Sequence, residues 1–106
     1  MPKYLFQASY TSEGAKGIRK AGGSARRDAV KRVIESAGGK LETFYFAFGK
    51  HDAIIIADLP DHASAAGISL TVGAAGAATT RTTVLLTPEE LDAAAKKTVE
   101  YRPPGS

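Results

Sequence analysis

The chain has 106 residues, 43% of them hydrophobic and 24% charged, with no cysteine and a formal net charge of +3. That length suits a single domain, and the missing cysteine excludes disulfide scaffolds, thiol catalysis, iron–sulfur clusters and cysteine-ligated zinc. No stretch approaches the ~20 apolar residues of a membrane span, and the start Met1-Pro2-Lys3-Tyr4-Leu5-Phe6-Gln7 lacks an apolar signal-peptide core, so a cytoplasmic protein with no membrane partner is expected.

Lys3 to Tyr10 alternates Tyr4, Phe6, Ala8 and Tyr10 with Lys3, Leu5, Gln7 and Ser9, which predicts a first strand. Glu13 to Lys20 holds helix formers but also Gly14 and Gly17, so only a short or irregular helical turn is expected before Gly22-Gly23. Ser24 is placed to cap the clearest helix, in which Ala25, Ala29, Val30, Val33, Ile34 and Ala37 recur at helical spacing until Gly38-Gly39. The basic excess lies in this part of the chain. Between Glu13 and Glu35 seven Lys and Arg face three Asp and Glu, while the remainder is slightly acidic. Asp28 precedes Arg32 by four and Lys31 precedes Glu35 by four, as surface ion pairs do, and no aromatic residue interleaves the cations to stack on bases. Arg26, Arg27, Lys31 and Arg32 are therefore expected to form a solvated helix face, and nucleic acid is not the expected partner.

Leu41 to Phe48, rich in aromatics, and the run Ile54-Ile55-Ile56 predict two strands joined as a hairpin by Gly49-Lys50-His51-Asp52. After Asp58-Leu59-Pro60-Asp61, the small-residue stretch His62 to Gly76 predicts a second helix lying close to a sheet. Thr79 to Leu86 predicts a fourth strand. Thr87-Pro88-Glu89-Glu90 fits a capping box with proline at the first helical position and opens a helix to about Lys97, and residues 99–106 are expected as an extended tail.

The resulting order is the split βαβ arrangement: one α+β domain over residues 1–106, ferredoxin-like βαββαβ with a C-terminal helix. Two helices cover one sheet face. Adjacent residues in Phe44-Tyr45-Phe46 and Ile54-Ile55-Ile56 point to opposite sides, so the other face is also apolar and a second copy of the chain is its expected cover.

His51 is the candidate catalytic residue, since imidazole in the hairpin connection could act as general base, although a solvated loop histidine fits the same position. His51 and Asp52 would project oppositely on a strand, so their adjacency does not make a dyad. Arg81 stands mid-strand, where a charge needs a reason: it could hold an anionic ligand with Thr79 and Thr83, or lie at an edge or dimer contact. The candidate ligand-binding set is Gln7, Ser9, Tyr45, Asp52 and Arg81, at the mouth of the sheet near the hairpin. His51 and His62 with scattered carboxylates make no expected metal site, and no cofactor is expected.

With these segments placed, the chain resembles the GYD-domain family nearly end to end. The residues that carry the likeness are Pro2 to Tyr10, Gly14-Ala15-Lys16-Gly17, Gly22-Gly23-Ser24-Ala25-Arg26-Arg27, Gly38-Gly39-Lys40-Leu41-Glu42, Phe44 to Gly49 and Leu86-Thr87-Pro88-Glu89-Glu90. The family's Gly, Tyr, Asp signature falls on Gly49-Lys50-His51-Asp52, with His51 where tyrosine is usual. The resemblance implies a dimeric α/β barrel, in which two ferredoxin-like protomers put their sheets together, and implies no particular reaction. Two functions are expected from different classes. The first is a small homo-oligomeric domain binding a small organic molecule between sheet and helices; the alternative is an enzyme of the cofactor-independent oxygenase or isomerase type using His51, with Arg81 stabilising an anion.

Overall fold

In a computed structural model, which describes residues 1–105, the elements run β1 (Lys3–Tyr10), α1 (Ser12–Ala21), α2 (Gly23–Ser36), β2 (Lys40–Phe46), β3 (Ala53–Asp58), α3 (His62–Ala75), β4 (Ala78–Leu85) and α4 (Pro88–Ala95). The four strands form one antiparallel sheet in the order β2-β3-β1-β4, the ferredoxin-like order. Both central strands alternate strictly: Tyr4, Phe6 and Ala8 of β1 and Ala53, Ile55 and Ala57 of β3 are buried, while the residues between them are partly exposed. The buried set packs against Val30 and Ile34 of α2 and Ala65 of α3 to make the core. Tyr4, fully buried in this face, also reaches to its edge, its hydroxyl 2.6 Å from Nδ1 of His62 at the start of α3. His62 thereby ties a helix end to the core strand.

Local chemistry explains most element ends. Asp61 caps α3 by accepting the Ser64 amide at 2.8 Å, and the capping box of α4 forms as the sequence predicts, with Thr87 and Glu90 bonded reciprocally. Helix α1 departs from expectation. It is a full ten-residue helix, capped by Thr11, with Glu13 in its first turn and Arg19 and Lys20 in its last, as the helix dipole favours. Gly14 does not break it, because the missing side chain is what lets α1 lie against the Ala77 carbonyl, where a Cβ would overlap. The cap of α2 also differs. Gly22 at φ +91°, and not Ser24, makes the sharp turn from α1 into α2, with no side-chain cap.

Smaller differences follow from pairing. Strand β2 stops at Phe46, opposite Ala53, so Ala47 and Phe48 belong to the hairpin connection, and α4 ends at Ala95 rather than near Lys97. Residues 96–105 continue beyond α4 without a helix or strand, and Ser106, the last residue of the expected tail, lies outside the described residues. Every described residue after Thr87 is exposed, and the molecule measures 57 × 32 × 23 Å. Its radius of gyration is 16.8 Å, against roughly 13 Å for a compact chain of this length. The C-terminal arm accounts for the excess. Among the described residues no helix is long and apolar enough to cross a membrane.

Candidate functional site

Strand register decides which candidate residues can meet. Gln7 pairs with Arg81 and Ser9 with Thr79, so with period-two alternation all four lie on the sheet face turned away from the buried residues and from α2 and α3. His51 joins them from the end of the hairpin. Its Nδ1 stands 3.5 Å from the Ser9 hydroxyl, at the outer limit of a hydrogen bond, and His51, Gln7, Ser9, Thr79 and Arg81 line one polar depression of about 330 Å³. Arg81 is exposed on an edge strand, and no carboxylate pairs with it among the described residues.

The other two candidates fall elsewhere. Tyr45 shares that face and the same cross-strand row, through Ile54 and Gln7, but three strand spacings separate it from Arg81, a distance of roughly 14 Å. Asp52 turns its carboxylate back to accept the Tyr10 amide at 2.8 Å, while its own amide donates to the Ala8 carbonyl. It fastens the hairpin end to β1 and does not line the depression. The expected set therefore divides, and the part that stays together lies outside the space between sheet and helices.

That space holds a different site. Between α2 and α3, over the buried side of β1, β3 and β4, is a cavity of about 250 Å³ whose walls include Phe6, Val30, Ile34, Ile55, Ile68 and Val72. Helix α3 contributes Ile68, Thr71, Val72 and Ala75 to its wall, while Ala65 of the same helix packs into the core beside it. Most of the lining is apolar, with Thr71, Thr80, Tyr10 and Arg26 as the polar exceptions.

Arg26 corrects the expectation of a uniformly solvated basic face. It is only partly exposed, its guanidinium lies 5.6 Å from the centre of the Tyr10 ring, and its Nε is buried without a hydrogen-bond partner among the described residues. Its neighbours behave as surface residues: Arg27 pairs with adjacent Asp28 at 3.3 Å, and the expected Asp28–Arg32 and Lys31–Glu35 pairs do not form. The signal for Arg26 was present in the spacing. Position 26 precedes Val30 by four and Ile34 by eight, which places it at the head of the same apolar stripe. Its charge disguised it as part of the basic run.

A family model described as GYD domain matches residues 4–95. No curated protein and no solved structure shows a significant match to the chain. The observed sheet order and single helical layer are consistent with the dimeric α/β-barrel superfamily in which that family's resemblance placed the sequence. With the matched segment covering nearly all of β1 to α4, the chain belongs to the GYD-domain family.

Proposed function

We propose that this protein is a homo-oligomeric binding domain that takes a small organic molecule into the cavity between its sheet and helices. The observation that carries this reading is the cavity itself: mostly apolar walls with a few polar groups are what small-molecule sites need, and its volume of about 250 Å³ lies just below their usual range of roughly 300–1,000 Å³, which suits a small ligand. Assembly is supported by the outer sheet face, where Leu5, Ile54 and Ile56 lie beside exposed Tyr45 with no helix over them among the described residues, and by Leu86, Leu91, Val99 and Tyr101, exposed along the C-terminal arm. An apolar surface of that extent fits an interface better than open water.

A fragment screen read by methyl resonances tests it. Bound molecules should shift Ile34, Ile55 and Ile68 together, and Val72→Phe, which fills the cavity, should remove those shifts. Shifts confined to the outer face would overturn the reading.

The depression on that face supports a second reading, as an enzyme of oxygenase or isomerase type. His51 and Arg81 line it together, so a proton acceptor and an anion-stabilising group face the same space. Ligands that perturb the His51 imidazole and leave the three isoleucines unmoved would favour it, and His51→Ala would then abolish turnover with fold and assembly intact.

A further inference from the structure

The cavity carries one feature that an apolar site does not need. A guanidinium donor withdrawn from water ordinarily has an acceptor, because leaving it unpaired forfeits hydration with nothing in return. Arg26 Nε is buried and has none among the described residues. The Tyr10 ring beneath the guanidinium attracts its charge but accepts no in-plane hydrogen bond.

Nearby carboxylates are engaged elsewhere. Asp28 accepts from Arg27, Asp52 accepts from the Tyr10 amide, and Glu13, which shares a neighbouring surface hollow with Arg26, stands 3.8 Å from Lys16 and is largely exposed. Meanwhile the walls beyond Arg26 are valine, isoleucine and phenylalanine. A neutral hydrocarbon would fill those walls and leave the one charged residue of the lining without a counter-charge, whereas a small hydrophilic anion would meet Arg26 and leave the walls unfilled.

We propose that the cavity between α2 and α3 binds a small organic acid, its apolar body between the isoleucines and its carboxylate on the Arg26 guanidinium. The planar fork of arginine suits a carboxylate, which can accept from two N–H groups at once. Tyr10 holds that fork in place. This inference rests on the cavity being the ligand site.

The test uses two probes that share one ring and differ in charge, cyclohexanecarboxylate and cyclohexanecarboxamide, titrated into the full chain while methyl and amide spectra are recorded. The carboxylate should bind at least about tenfold more tightly than the amide, as a charge-assisted pair against apolar walls allows. Arg26→Gln should weaken the carboxylate to the level of the amide and leave the amide unchanged, with Arg26→Lys between. The spectra themselves report whether each variant is folded; should Arg26→Gln fail to fold, Arg26→Lys and the probe ratio on the native chain decide. Equal binding of both probes at Ile34, Ile55 and Ile68, unaffected by changes at Arg26, would overturn the charge preference and leave the cavity reading standing. Absence of any shift at those isoleucines with either probe would overturn both.

Discussion

Asp52 accepts a hydrogen bond from the Tyr10 backbone amide at 2.8 Å, joining the end of the β2–β3 hairpin to the last residue of β1. Tyr10 is also the platform beneath Arg26, so Asp52 supports the Arg26 side of the cavity through Tyr10. Asp52→Ala leaves that amide unpaired and should cost about 1–2 kcal/mol, the range for a partly exposed bond to a charged acceptor. Asp52→Asn, which keeps an acceptor oxygen, should cost less. Urea unfolding of both variants checks the order, and equal stability of Asp52→Ala with the native chain would contradict this role.

The acid limb of stability should depend on Asp61. The Ser64 hydroxyl, donating at 2.7 Å, is the main reason its carboxyl sits below the ordinary value of 3.8; the Ser64 amide and neighbouring His62 add to the effect. A carboxyl whose folded pKa is below its unfolded value contributes stability that is fully present above 3.8 and is lost as pH falls through the depressed value. Melting followed between about pH 5 and pH 2 should therefore show a loss in the native chain that is shallower in Asp61→Asn, which keeps a capping oxygen but cannot titrate. Superimposable acid limbs would remove Asp61 from the account.

How far the sequence reveals this molecule depends on the range of the interaction concerned. Alternation along Lys3–Tyr10 announces β1 and also which residues share a face, so the meeting of Gln7, Ser9 and Arg81 follows once β1 and β4 are paired. His51 and Asp52 are not legible in this way, because both precede β3, which starts at Ala53, and their placement depends on the hairpin connection. Gly14 misleads because its cost within a helix is local and visible, whereas its benefit, close approach to Ala77, comes from a residue 63 positions away. The cavity is less legible still: it arises from the gap between α2 and α3, which no single segment encodes. Arg26 is the intermediate case, since helical spacing aligns it with Val30 and Ile34 but composition assigns it to the charged surface.

The outer sheet face supplies the last expectation. Leu5, Ile54 and Ile56 occupy the centre of that face on the two inner strands, with Thr43 and Thr83 flanking them on the edges. Strand spacing and rise make the face roughly 19 Å by 26 Å. That footprint of roughly 500 Å² is well below the ~800 Å² per partner of an ordinary stable interface. The exposed arm, with Leu86, Leu91, Val99 and Tyr101, extends the apolar surface available to a second copy. Lys3 is already satisfied at the rim, bonded to Glu42 at 2.7 Å and Asp58 at 2.9 Å, so it adds no unpaired charge there. Sedimentation equilibrium at micromolar concentration should give at least twice the chain mass. Ile56→Lys puts an ammonium into the middle of the joined faces, where neither sheet offers it an adjacent carboxylate in the same cross-strand row, and should yield the single-chain mass with an unchanged circular dichroism spectrum. Removal of residues 87–106 should weaken association without abolishing it, because the sheet contact remains. A native chain that sediments as a monomer would contradict the assembly and would leave the half-buried isoleucines of that face without a cover.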